Sequence, residues 1–422
     1  MALVPTDVDT MLAAWVSDAR QRTLEMYADL DDLQFAVPYL RTINPPVWEL
    51  GHVAWFQEHW ALVHAQGQPP QYDNPGALWN SAIVAHASRW SLPLPTRSAT
   101  INYLTAVRDR VLAALDRGPL TEALRYFTML GVFHEDMHGE AFAMTRQAMG
   151  WPVPPVRSIG VASPEHHAVG AWPGDVMIPS GRHRLGAERA PGPPFVFDNE
   201  KWAHDVEIER FHIARAPVTQ AQYAAFVDDG GYSRASLWSD AGRTWREQAQ
   251  ATRPLYWRQG SDGWERRVFD RWVPIAGQPH RPMIHVCAHE AQAWCRWAGR
   301  RLPTEAEWDR AAIGAAIGPD ANLDLAIADT VDVAAFAIGD STAGCRQMTG
   351  NVWEWTSSEF GPYPGFVRDP YAEYSEPWFG DHRVLRGGCF VTRARLLRPT
   401  WRNFYTPDRR DVWAGFRTCA VD

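Results

Sequence analysis

Cysteine is scarce in this chain: five in 422 residues (Cys287, Cys295, Cys345, Cys389 and Cys419), an odd number with no CxxC pair. That disfavours a zinc ribbon or a disulfide framework and makes a reducing cytoplasm the expected compartment. Long apolar runs are missing too. None reaches the roughly 18 residues a membrane span needs, so no membrane partner is expected. Basic residues are not in surplus: 41 Lys and Arg stand against 49 Asp and Glu, a net charge of −8. Without a cationic surface the chain is not expected to bind nucleic acid. The opening MALVPTDVDTMLAAWVSDARQR lacks the basic start and unbroken apolar stretch of a signal peptide. There is no internal repeat and no low-complexity tract.

What the chain has in excess is tryptophan, 22 residues, several in close pairs such as Trp353 with Trp355 and Trp294 with Trp297. Large aromatics plug the cores of loop-rich folds, and a minority line pockets. The chain changes texture near residue 155. Before it, residues 9–30, 48–67, 100–118 and 121–150 place apolar residues three and four apart and close on Gly or Pro signals such as Gly67–Pro69 and Gly150–Pro152. Four amphipathic helices bury their stripes most simply as an antiparallel bundle. A stretch rich in Pro and Gly follows, and from about residue 175 short β-type runs (DVMIPSG, VFDNE, HDVEIERFHIA, RVLRGGCFV) alternate with turns. Three helices stand out among them: TQAQYAAFVDDGG, HEAQAWCRWAGRR and TEAEWDRAAIGA. The expected division is a helical bundle over 1–153, a linker over 154–174 and a second domain over 175–422.

The sharpest chemical signal is FHEDMHGE, residues 133–140. His134 and His138 lie four apart on a predicted helix, so both imidazoles share one face and can hold one metal. The spacing is that of a zincin HExxH, but it sits in a bundle, and a third candidate, His52, lies on the apolar face of WELGHVAWFQEHW. Three imidazoles from two helices leave about three open positions on an octahedral metal, which suits non-haem iron binding both dioxygen and substrate. Isolated histidines such as His59 or His86 read as ordinary solvated or hydrogen-bonded side chains. Glu135, Asp136 and Glu140 read either as carboxylates orienting the imidazoles or, for one or two of them, as a solvated helix face.

These residues carry a family resemblance. His52 with the His134/His138 pair is similar to the bundle domain of the ergothioneine sulfoxide synthases. Those are iron(II) enzymes in which a DinB-like bundle is joined to a formylglycine-generating-enzyme-like domain. The second half agrees in order: DNEKWAHDVEIERFHIARAPVTQAQYAAFVDDGGY (198–232), RRLPTEAEWDRAA (300–312), GNVWEWTSSEF (350–360), RVLRGGCFVTRARLLRPTWRNFY (383–405) and AGFR (414–417). The resemblance implies an α+β fold class, a DinB-like four-helix bundle followed by a C-type-lectin-like core. It implies an Fe(II) cofactor held by His52, His134 and His138, and hercynine, a thiol or related donor and dioxygen as small-molecule partners. A formylglycine-generating enzyme would carry a cysteine pair after its GGS block. Here Cys389 takes the Ser position and no cysteine follows through Leu397, which disfavours copper oxidase chemistry. The family's proton-donating tyrosine falls on Tyr371 or Tyr374 of DPYAEYSEPWF, and its contact to the hercynine trimethylammonium falls on Phe404, beside Asn403.

Three departures bear on the donor. The family's RNWD is RNFY here, placing Tyr405 where it has Asp. Its HEQQH is HEDMH, placing Met137 where it has a substrate-facing Gln. Of its arginine pair for the donor's carboxylates only Arg89, in HASRW, stands out. A γ-glutamyl peptide brings two carboxylates and an ammonium, and leaving such charges unpaired costs roughly 2–5 kcal/mol. A pocket poorer in charge suits a neutral polyol. These departures look like the selenoneine synthase branch, whose donor is a selenosugar. The alternatives are an ergothioneine-type sulfoxide synthase using γ-glutamylcysteine or cysteine, a zinc-dependent DinB-type thiol S-transferase, and a metal-free binding module.

Overall fold

The computed structural model describes residues 8–160, 169–189 and 195–421. The first seven residues of the chain start and positions 161–168 of the expected linker lie outside them. The chain forms two compact units, Met1–Met149 with Val153–Arg157, and Gly150–Pro152 with Ser158–Asp422. Among the described residues no helix is long and apolar enough to cross a membrane.

The first unit is built on four helices: α1 (Val8–Glu25), α2 (Pro46–Gln57), α3 (Arg97–Leu115) and α4 (Glu122–Met149). Pro46 opens α2, where its fixed φ suits a first turn that needs no N–H. A π-helical stretch, Glu58–His64, continues α2. Thr96 caps α3 by accepting a hydrogen bond from the Ala99 N–H at 3.2 Å, so this helix starts three residues before its apolar pattern does. Gly150, at φ +68°, follows the end of α4, a left-handed position that glycine adopts without strain. Helix α2 packs against α3 and α4, and α1 against the same two.

One buried ion pair ties all four helices together. Arg20 on α1 is fully buried and donates through Nε and Nη2 to both carboxylate oxygens of Glu135 on α4, at 2.8 and 3.1 Å. Its Nη2 also reaches Gln57 Oε1 on α2 at 3.0 Å, and its Nη1 donates to the Leu104 carbonyl on α3. Thr23 Oγ1 adds a bond to Glu135 Oε1 at 2.8 Å. Four of the five N–H donors of this guanidinium are thus committed, which is the condition under which a buried charge is tolerated. Glu135, Asp136 and Glu140 are all buried, at 2, 4 and 5% exposure, so none belongs to a solvated face. The helix is enclosed on that side, and periodicity alone does not separate an enclosed carboxylate from a solvated one.

The second unit is irregular, with four small sheets among the described residues. One has the strand order Asp175–Ile178, Phe211–Ala214, Cys419–Ala420, Arg300–Arg301, and another Asn403–Tyr405, Arg383–Arg386, Trp353–Glu359, Ala414–Gly415. Gly181–Leu185 pairs with His204–Ile208, so HDVEIERFHIA forms two strands of different sheets. Trp257–Gly260, Gly263–Val268 and Arg271–Pro274 make an antiparallel meander. VFDNE is not a strand. Asp198–Glu200 forms a 3-10 turn in which the Glu200 carboxylate accepts from the Phe197 N–H at 2.9 Å. The three expected helices are present as Gln220–Asp228, Ala288–Trp297 and Glu305–Ala311, and Asp240–Gln248 is a fourth. Ile178, Ile208, Phe211, Ile213, Trp308 and Met348 form one core. Trp353 and Trp355 are fully buried plugs. Glu305 is buried between Arg386 and Arg402, which tie the Arg383–Arg386 strand and the start of the Asn403–Tyr405 strand to the helix it begins.

Arg20→Met strands the Glu135 carboxylate in the bundle and is expected to destabilise the first unit by about 3–5 kcal/mol. Arg20→Met with Glu135→Leu removes both charges and is expected to recover most of that loss. Urea unfolding followed by far-UV circular dichroism measures both. A double variant no more stable than the single one would contradict the assignment.

Candidate metal centre in the bundle

Helix α4 presents His134 and His138 on one face, and α2 presents His52 toward them. Ring centroids lie 5.0 Å apart for His52 and His134, 4.8 Å for His52 and His138, and 4.5 Å for His134 and His138. One ligand nitrogen from each falls within 4.8 Å of the others, and among the described residues this is the group of three or more His, Cys, Asp or Glu side chains able to share a metal ion. His52 and His134 are 3 and 4% exposed, and His138 is partly exposed.

The surroundings fix how each ring is presented. His52 Nδ1–H donates to the Trp79 carbonyl at 2.7 Å, since a carbonyl only accepts. Gly51 makes this approach feasible: a Cβ there would stand 2.1 Å from the Trp79 ring nitrogen. On its flank His52 stacks on Trp48, 4.9 Å between centroids at 9°. His134 lies flat on Phe56, at 3.6 Å and 5°. His138 Nδ1 is 2.9 Å from Glu49 Oε1. With Nδ1 engaged on His52 and His138, their Nε2 lone pairs are the ones left to a cation. Burial holds all three imidazoles below their ordinary titration range. The neighbouring imidazoles add to this for His52 and His134, and the Arg89 charge does so for His138, which sits at about 4. Neutral rings are the ligand form, so this donor set fits a transition metal. Burial pushes the Glu49 carboxyl the other way, up to about 8.

Glu49, Asn44, Phe56 and Trp79 are parts of this centre that the sequence reading did not single out. A carboxylate three residues before a candidate ligand on the same helix was the available signal for Glu49. Trp79 acts through its main chain, which leaves no mark in the sequence.

Of the other candidates, Arg89 and Met137 lie in the first unit and the rest in the second. Arg89, on the 3-10 turn His86–Trp90, donates Nη1 to Asn44 Oδ1 at 2.6 Å and Nη2 to the Val84 carbonyl at 3.3 Å, and its guanidinium covers the Trp48 ring at 3.9 Å. Met137 is partly buried on α4, between the two histidines in sequence. In the second unit, Asn403, Phe404 and Tyr405 form a strand opposite Leu385, Val384 and Arg383. Strand alternation sends Phe404 to one face and Asn403 and Tyr405 to the other. Phe404 stacks on the buried Phe360 at 4.0 Å and 11° and meets Tyr374 edge-on at 5.7 Å, while the Arg409 guanidinium lies 5.0 Å over the Tyr405 ring. Tyr374 lies on Phe197, 4.2 Å between centroids, and its hydroxyl accepts the Trp401 indole N–H at 3.3 Å. Tyr371 is 5.8 Å from Tyr374, and burial raises both phenols above their ordinary range. Phe404 and Tyr374 therefore belong to one aromatic cluster, and Asn403 and Tyr405 lie on the opposite side of the strand.

The two units differ in kind: three imidazoles converge in the helical one, and the other is built of small sheets and loops. Residues 16–145 match the DinB superfamily and residues 161–421 the sulfatase-modifying factor enzyme 1-like domain. The chain is 37% identical over 428 residues to the protein named hercynine oxygenase of Mycolicibacterium thermoresistibile, covering 96% of this chain and 94% of that one. It is 35% identical over 433 residues to that of Mycobacterium tuberculosis, covering 96 and 97%. The second unit is also similar to the formylglycine-generating enzyme of Streptomyces coelicolor, 30% identical over 297 residues, 59% of this chain and 89% of that one. The chain belongs to the hercynine oxygenase family.

Replacing His52, His134 or His138 by Ala one at a time is expected to lower Co(II) affinity at least tenfold and to leave the circular dichroism spectrum unchanged. Anaerobic Co(II) titration checks this, and three variants that bind as the parent does would remove the site.

Proposed function

We propose that this chain is an iron(II)- and dioxygen-dependent enzyme that joins the imidazole ring of hercynine to the selenium of a selenosugar. The relatives named hercynine oxygenase, matched over 96% of this chain, support hercynine as the acceptor. The observation that carries the metal is the set of three neutral imidazoles on two helices. His52, His134 and His138 would hold ferrous iron, which when bound supplies open positions for dioxygen and the donor and the redox chemistry that couples them.

The chain's own groups do the rest. Tyr371 or Tyr374 holds the proton delivered during turnover, a phenol being protonated at neutral pH and burial only reinforcing this. Phe404 offers the ring face turned from Phe360 to the trimethylammonium, an attraction of ~0.5–2 kcal/mol. Asn403 projects to the other face of the strand and takes no part in that contact. The donor preference rests on missing charge. Tyr405 and Met137 replace polar or acidic groups of the family pattern, and Arg89 is already engaged by Asn44, the Val84 carbonyl and the Trp48 face. A donor with two carboxylates finds few partners among these residues, whereas sugar hydroxyls need none of opposite charge. The second reading keeps the chemistry and uses γ-glutamylcysteine or cysteine. The identity to hercynine oxygenases over nearly the whole chain favours it. Three imidazoles also fit zinc, and a zinc-dependent thiol transferase would take up zinc in stoichiometric amounts and consume no oxygen.

Iron-loaded protein given hercynine, equal selenosugar and γ-glutamylcysteine, and then air is expected to yield mainly the selenium adduct by mass spectrometry. A predominant sulfur adduct would establish the second reading instead. Tyr405→Asp is expected to raise use of the thiol peptide and leave selenosugar turnover within about twofold. Of Tyr371→Phe and Tyr374→Phe, the one that removes the proton donor is expected to lower kcat by roughly 10²–10⁴. Full activity in both would take the proton away from this segment.

A further inference from the structure

The three imidazoles are not backed alike. His52 donates to a neutral carbonyl, and His134 rests on a phenyl face. His138 faces a carboxylate, Glu49, at 2.9 Å. Glu49 sits on α2 one turn before His52 and is 1% exposed. Its Oε1 also receives Asn44 Nδ2 at 3.5 Å, while its Oε2 has no hydrogen-bond partner among the described residues. Arg89 forms no ion pair with it and reaches Asn44 Oδ1 instead. Burial favours the neutral acid at Glu49, the Arg89 charge offsets part of that, and a further positive charge nearby would favour the carboxylate. The helix contacts of the bundle, carried by Arg20 and Glu135, make no use of it. A cation held by His138 would supply such a charge, transmitted through the ring.

We propose that Glu49 is a positioning residue. Ionised by a cation at the centre, it would hold the proton of His138 on Nδ1 and make that imidazole a stronger donor than His52, which a neutral carbonyl backs. The inference rests on the metal reading above and assigns Glu49 a part that the three ligands alone do not require. A purely structural Glu49 would change folding when altered. A positioning Glu49 changes the metal.

Glu49→Gln keeps the size and an acceptor oxygen and removes the charge. The variant is expected to bind Co(II) roughly 10–100-fold more weakly than the parent. The Fe(III)/Fe(II) potential of its iron-loaded form is expected to move positive, with thermal unfolding unchanged or raised. Equal Co(II) affinity and an equal potential in parent and variant would overturn the proposal. Nitrogen-15 spectra of the imidazoles in the parent without added metal, recorded at pH 9 where Glu49 is ionised, give an independent reading, with the His138 proton expected on Nδ1. A proton found on Nε2 would overturn the proposal whatever the metal does. A parent that takes up neither Co(II) nor Fe(II) would sink the metal reading, and the nitrogen spectra would still decide whether Glu49 directs His138.

Discussion

The bundle depends on a charge that has no access to water. Arg20 and Glu135 meet in the interior, and each remaining bond of the pair goes to another helix: Gln57 on α2, Leu104 on α3 and Thr23 on α1. Such a pair contributes little net stability, but it is satisfied in only one arrangement of four helices. Glu135 is the residue next to His134, so the contact that sets the rotation of α4 also aims its histidines. Gln57 lies one turn and a half beyond His52 on α2, and the same guanidinium holds it. The ion pair thus fixes the two helices that bear the imidazoles relative to each other.

From that arrangement the chemistry follows in small steps. Gly51 lets the Trp79 ring lie against α2, which brings its carbonyl to His52. Burial keeps the rings neutral, and a carboxylate, a carbonyl and a phenyl face present them differently. In the second unit a comparable economy holds. Glu305, Arg386 and Arg402 form a buried cluster that seats the strand Asn403–Tyr405 and the strand beside it, and pleating then divides its side chains between two faces.

Much of this was legible in the sequence because it is periodic. The four helices follow from apolar spacing, and the His134/His138 pair from the four-residue turn. His52 follows from a histidine on an apolar stripe. What periodicity cannot carry was missed or misread. Glu135, Asp136 and Glu140 resemble a polar face in the sequence and are enclosed in the fold. Trp79 acts by a carbonyl that every residue has. VFDNE has the composition of a strand, but the Glu200 side chain bonds back to the Phe197 N–H and turns the chain instead. Asn403, Phe404 and Tyr405 are adjacent letters, and adjacency in a strand means opposite faces. The donor preference rests on residues that are absent from the family pattern, and absence has no geometry to inspect.

The account stands on three imidazoles sharing one iron. X-ray absorption at the iron edge of the anaerobic ferrous protein counts them directly. It should show three imidazole rings per iron in the parent and two in His52→Ala. A parent spectrum with two rings or fewer, or with sulfur from the chain bound to iron, would contradict it.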